Sequence, residues 1–149
     1  MISNVDDMYF MGLALEQAKK ALALGEVPIG AVVVSGGKVV AAAHNMTEAL
    51  TDVTAHAEML AITAAQSALG KFLNDATMYV TVEPCTMCAG AIGWARLGRL
   101  VYGAGEPRVG FSSIVKKSPL HPKTLVQFGV RADEAVDLMQ SFFKNKRKI

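Results

Sequence analysis

Met78-Tyr79-Val80-Thr81-Val82-Glu83-Pro84-Cys85-Thr86-Met87-Cys88 is the stretch on which the fold turns. Met78 to Val82 is rich in β-branched and aromatic residues and predicts a strand. Glu83-Pro84 stops it. Pro84 then stands where the first turn of a helix tolerates proline, so the spacing predicts a helix from Cys85 to Arg96. A strand running straight into a helix is a building unit of α/β domains. Ala89, Gly90, Ala91 and Gly93 make this helix thin, which allows another backbone to approach closely.

Working outward, Met8, Met11, Leu15, Ala18 and Leu22 recur at steps of three and four. They predict a helix from about Asp7 to Leu24, capped by Asp6 or Asp7 and stopped by a left-handed Gly25. Glu26-Val27-Pro28 breaks it. Ile29 to Val34 is apolar on both sides and reads as a buried central strand. Ser35-Gly36-Gly37 turns the chain into a second strand, Lys38 to Ala43, to form a hairpin ending at His44-Asn45. Met46 to Asp52 is a loop. A helix is expected from a Thr54 cap to Gly70, with Ala57, Leu60, Ala61, Ala64, Ala65 and Leu69 on its buried face.

Downstream, Leu100 to Tyr102 and Leu125 to Val130 read as the fourth and fifth strands. Arg131 to Lys146 reads as a last helix with Ala135, Leu138, Met139 and Phe142 inward. Ala104 to Thr124 carries weak signal, and Ile114 to Lys117 stays unassigned. Helices alternate with strands after the hairpin. The expectation is an α/β fold, a three-layer α/β/α sandwich on a five-stranded mixed sheet, with one domain over residues 1–149.

Composition agrees: 149 residues, 52% hydrophobic and 19% charged, describe a chain that buries a core. No stretch has the length and apolarity of a membrane span. Asp6 and Asp7 stand where a secretory leader would be basic, so the reading is cytoplasmic. The net charge is +2, and four basic residues, Lys144, Lys146, Arg147 and Lys148, lie within the last six. Removing those four charges leaves the body at −2, so basicity belongs to the tail. Cations at a helix C-terminus also have a plain structural use against the helix dipole.

Both cysteines lie in the opening stretch, with two residues between them. In a cytoplasmic chain such a pair is metal-binding or redox-active. His56-Ala57-Glu58 lies upstream, with His56 29 residues before Cys85. A catalytic zinc takes three protein ligands and keeps one position open, and His56, Cys85 and Cys88 make three. Glu58, two residues beyond His56, faces another side of a helix and suits a general base instead. A redox pair has no need of His-x-Glu. A closed structural site would take His44 or His121 as fourth ligand, but such sites usually serve domains that lack a core. His56 satisfied in the core is the remaining alternative.

His-x-Glu followed by Pro-Cys-x-x-Cys is the established signature of the zinc-dependent nucleoside and nucleobase deaminases. Gly25–Val32, His44-Asn45, Thr54–Glu58, Tyr79–Ala91 and Val101–Ala104 extend the match. On them the chain resembles the bacterial tRNA-specific adenosine deaminases of the zinc-dependent cytidine/deoxycytidylate deaminase family. The resemblance implies a cytidine deaminase-like fold with one Zn2+ per subunit on His56, Cys85 and Cys88. It implies hydrolytic conversion of the wobble adenosine of a tRNA anticodon to inosine, by hydroxide attack on C6 with Glu58 shuttling protons.

It further implies that Asn45 hydrogen-bonds the flipped base, although an Asn closing a turn is its plain alternative. Val27 and Pro28 would line the base pocket. Phe143, Lys144, Lys146 and Arg147 would touch the anticodon stem-loop, ring on base and cation on phosphate. The thin helix with Trp94 and Arg96 would form a homodimer interface. The family commonly has Asp where this chain has Glu106, a contact to the target nucleotide, and Pro107 to Thr124 departs further. A free-nucleobase or nucleoside deaminase acting on guanine or cytosine is the alternative enzyme. A non-enzymatic RNA-binding protein with structural zinc is the alternative of another class.

Overall fold

The computed structural model describes the backbone of residues 4–147 and the side chains of residues 5–146. Its elements are α1 (Asn4–Ala23), β1 (Gly30–Ser35), β2 (Lys38–His44), α2 (Ala57–Leu69), β3 (Ala76–Val82), α3 (Thr86–Trp94), β4 (Arg99–Ala104), α4 (Phe111–Ile114), β5 (Leu125–Phe128) and α5 (Ala132–Arg147). The five strands form one sheet in the order β2-β1-β3-β4-β5. β1 runs antiparallel to β2 and β3, while β3, β4 and β5 are parallel. The expected mixed sheet is therefore present.

Side chains alternate across each strand and so divide the interior in two. Ala31, Val33, Met78, Val80, Leu100 and Tyr102 face one cluster, which α2 and α3 close with Ala57, Ala61, Ala65, Ala89 and Ile92. Val32, Val34, Tyr79 and Val101 face the other, closed by Met11, Ala14 and Leu15 of α1 and Ala135 of α5. The four longer helices lie two to a face, and α4 adds Phe111 to the first cluster. Gly30 lets α1 press directly on β1: a Cβ there would overlap the Ala14 carbonyl and lie 2.5 Å from the Ala18 nitrogen. Gly36 and Gly37, with φ of 58° and 76°, make the hairpin turn.

Several local expectations change. Neither Asp6 nor Asp7 caps α1, because the chain is already helical at Asn4, and Asp7 is buried. Its carboxylate accepts a 2.7 Å bond from the Tyr79 hydroxyl and two, at 2.8 and 2.7 Å, from the Arg99 guanidinium. The buried stripe of α1 is Met11, Ala14, Leu15, Ala18 and Ala21, whereas Met8 is 49% exposed. Thr54 does not cap α2: its N–H and hydroxyl both donate to Asp52, and His56 occupies the cap position. α3 begins at Thr86 with Cys85 as its cap. The thin side of α3 is met at Gly93 by this chain's own Pro119-Leu120, where a Cβ would overlap the Pro119 carbonyl. The weak region contains one short helix, α4.

Burial pushes the Asp7 pKa up, but bonds from Arg99 and Tyr79 outweigh it and hold the carboxyl below its ordinary value. A depressed folded pKa contributes stability above the unfolded pKa of about 4, and that contribution is lost as pH falls. Asp7→Ala is expected to cost about 3 kcal/mol in urea unfolding, because it strands the Arg99 charge and the Tyr79 hydroxyl. A loss below about 1 kcal/mol would show that water reaches the pair.

Candidate active site

Strand register brings the chemistry-bearing residues to one end of the sheet. β1 is antiparallel to β3, with Ala31 opposite Val80, so the start of β1 lies beside the end of β3. Gly30 is opposite His44 at the end of β2, and Val82 is opposite Ala104 at the end of β4. Val27-Pro28, Asn45, Cys85 and Glu106 therefore all emerge at this end. Open α/β sheets place ligands at such carboxyl ends.

His56 and Cys85 are the N-caps of α2 and α3, both with extended backbone. Neither side chain makes the usual cap bond, and the two converge instead. Cys88, three residues on, lies on the same side of the first turn of α3. His56 Nδ1 is 3.7 Å from Cys85 Sγ and 3.4 Å from Cys88 Sγ. The three donor atoms lie within 4.8 Å of one another. A tetrahedral ion at ordinary zinc–sulfur and zinc–nitrogen lengths would hold its S and N donors about 3.6 Å apart, between the two observed separations. The donor set fits zinc in type and in spacing.

Two helix N-termini aim partial positive charge at these thiols. The Cys88 thiol bonds Cys85 and draws it down to about 4 against the effect of burial, with His56 adding to the lowering. That same contact, together with burial and the Glu58 charge, pushes Cys88 up. His56 is raised through its bond to Cys85. Glu58, in the first turn of α2, is only 3% exposed. Burial pushes its carboxyl up to about 7, with the Cys85 charge adding. A carboxylate near neutrality beside a metal-donor set is equipped to move protons in both directions.

Asn45 is buried at the same end of the sheet, its N–H donating to the Ile29 carbonyl at 3.1 Å and its Nδ2 to Thr47 Oγ1 at 3.5 Å. Val27 is half-buried and Pro28 buried. A second neighbourhood is a groove of about 750 Å³ between α5 and residues 104–108. Glu106, Arg108, Phe143 and Lys144 line it. Glu106 accepts the Arg108 N–H at 2.9 Å, which holds the turn at the groove's lip. Val82 also lines the groove, so it opens close to Cys85. Lys146 turns elsewhere, its ammonium 5.3 Å from the centre of the Phe142 ring. The Arg147 side chain and all of Lys148 lie outside the described residues.

Two acids were missed in sequence. Glu26, 1% exposed, accepts N–H bonds from Glu48 at 3.0 Å and Ala49 at 2.7 Å, and so holds the loop beyond Asn45. Glu83, read only as a strand stop, receives three bonds from residues 106 and 112. The available signal was an acid wedged between an apolar strand and a proline.

Fold and donor set together define a metal-assisted hydrolytic enzyme built on a deaminase-type sheet. The chain is 42% identical over 147 residues to the tRNA-specific adenosine deaminase of Bacillus subtilis, covering 95% of this chain and 91% of that one. A solved tRNA:A34 deaminase, from work on A-to-I editing at the wobble position of transfer RNA, is 44% identical with a TM-score of 0.81. That match covers 87% of this chain and 98% of the other. The guanine deaminase of Nitrosomonas europaea is more distant, at 25% identity and TM-score 0.77 over 91% of this chain and 83% of that one. The chain belongs to the MafB19-like deaminase family, whose sequence model matches residues 5–147, and within it to the tRNA-specific adenosine deaminases.

Proposed function

We propose that this protein hydrolyses the wobble adenosine of a tRNA anticodon to inosine, releasing ammonia. The observation that carries this reading is the convergence of His56, Cys85 and Cys88 on buried Glu58 at the sheet end that also opens onto a groove carrying Phe143 and Lys144. His56 Nδ1 and the sulfurs of Cys85 and Cys88 would hold one zinc per chain. When bound, the metal supplies the nucleophile by lowering the pKa of water to about 7.

Glu58 would take a proton from the attacking water and deliver it to ring N1 of adenine as C6 is attacked. It would then carry the proton of the C6 hydroxyl to the departing amine, leaving the inosine carbonyl. Water and adenosine thus yield inosine and ammonia, and Glu58 ends as it began. Asn45 orients the flipped base through its amide, and Val27 with Pro28 walls the pocket. Glu106 contacts the target nucleotide, and Phe143, Lys144, Lys146 and Arg147 meet the stem-loop, where cations contact phosphates and a ring stacks on a base. A guanine- or cytosine-type free base is the competing substrate, but it has no use for a groove bearing Phe143, Arg108 and Lys144.

The reading assigns the protein to the cytoplasm, and no helix among the described residues is long and apolar enough to cross a membrane. It also assigns a homodimer, through the outer face of α3. Trp94 is 85% exposed there, beside Phe72, whose ring carries the Arg96 guanidinium at 4.2 Å. The deciding experiment incubates zinc-loaded protein with a stem-loop bearing a wobble adenosine, in parallel with free guanine, cytosine and adenosine. Inosine in the RNA by mass spectrometry is expected. Turnover of a free base without turnover of the RNA would replace this reading with its competitor.

A further inference from the structure

We propose that Glu83 is a positioning residue, a buried clasp that fastens the substrate-facing loop 105–112 to the turn bearing Cys85. The inference rests on the function proposed above and extends it to a group outside the metal-donor set. Glu83 is 5% exposed. Its Oε1 accepts the Glu106 N–H at 3.0 Å. Its Oε2 accepts the Ser112 N–H at 3.0 Å and the Ser112 hydroxyl at 2.5 Å. Among the described residues no ion pair reaches it. Burying a carboxylate without a cation is costly unless neutral donors satisfy it, and here every one of those donors comes from one short segment, the loop at Glu106 and the start of α4 at Ser112.

The loop is fastened again on its far side. Cys85 and Gly110 form an antiparallel bridge, and the Phe111 N–H donates to the Pro84 carbonyl at 3.0 Å. Gly110 has no room for a side chain: a Cβ there would lie 2.5 Å from the Glu106 carbonyl and closer still to the Glu83 carboxylate. The loop therefore wraps tightly around the acid. Glu83 sits between Val82, which lines the groove, and Pro84-Cys85, which opens α3. Through its bond to the Glu106 amide it sets one wall of the substrate groove relative to the reacting centre. Small displacements of such walls are expensive in catalysis, because productive binding depends on near-attack geometry.

Glu83→Gln keeps the volume but presents an NH2 group toward donors that need an acceptor. The test measures KM and kcat on the wobble-adenosine stem-loop, zinc per chain, and amide exchange at Glu106 and Ser112. For E83Q we expect KM to rise about tenfold, kcat to fall by less, and zinc to stay near one per chain. Exchange at both amides should quicken. Ser112→Ala should raise KM by a smaller factor and add little when combined with E83Q, because both act on one clasp. Gly110→Ala forces the same clasp open from the other side, so it carries the test should E83Q not fold. An unmoved KM in both E83Q and G110A, with faster exchange, would reduce Glu83 to a structural acid and overturn the proposal. Zinc loss would overturn it too, by making Glu83 a support of the metal turn. Wild-type protein that makes no inosine would sink the functional reading as well; an unmoved KM in a working enzyme sinks this inference alone.

Discussion

Glu58→Gln is expected to lower kcat on the stem-loop by about 10²- to 10⁴-fold, the range a positioned proton-transfer group supplies. Zinc per chain should stay near one, because Glu58 is not among the three clustered donors. Stability should hold or rise. The side chain is almost wholly buried, and exchanging a buried ionisable group for a neutral isostere removes a desolvation cost. Lost turnover, kept metal and an unlowered Tm together would separate a proton carrier from a structural acid. If zinc left with activity, Glu58 would be holding the site together, and its assignment to proton transfer would fail. The same variant speaks to the non-enzymatic alternative: a protein that only binds RNA has no turnover to lose.

Cys88→Ala should act in the opposite order, with metal lost first and activity as a consequence. Two donors cannot hold zinc as three do, so zinc per chain should fall well below one and inosine formation should drop to background. The fold should survive. Cys88 lies against the cores without belonging to either apolar cluster, and replacing its sulfur by a methyl-sized side chain removes little buried apolar volume. Far-ultraviolet circular dichroism is expected to match that of the parent. A variant that kept full metal would mean that Cys88 is not a ligand.

The architecture could be read in advance wherever a pattern repeats. Ile29 to Val34 is apolar on both sides, and β1 is an interior strand of the sheet; the Gly36-Gly37 hairpin and the α5 stripe follow periodicity closely. The donor triad and Glu58 were legible because their spacing is short and chemically specific. What escaped depends on contacts far apart in sequence. Asp7 looks like a cap until Arg99 is seen 92 residues away. Glu26 and Glu83 look like loop acids until the loops they hold are folded over them. α4 has four residues and no period to detect, and the bridge at Cys85 helps to fix it. The later starts of α2 and α3, with His56 and Cys85 as caps, have a chemical reason: each side chain is directed at its neighbours, which leaves the cap without its usual side-chain bond.

Placing His56 and Cys85 on helix caps also separates assembly from maturation. Neither apolar cluster counts a donor residue among its members, so the chain is expected to complete its interior before it meets an ion. Metal loading becomes a capture step at a finished mouth. A cell short of zinc would accumulate a folded, idle pool of this protein, and resupply would restore activity without new synthesis.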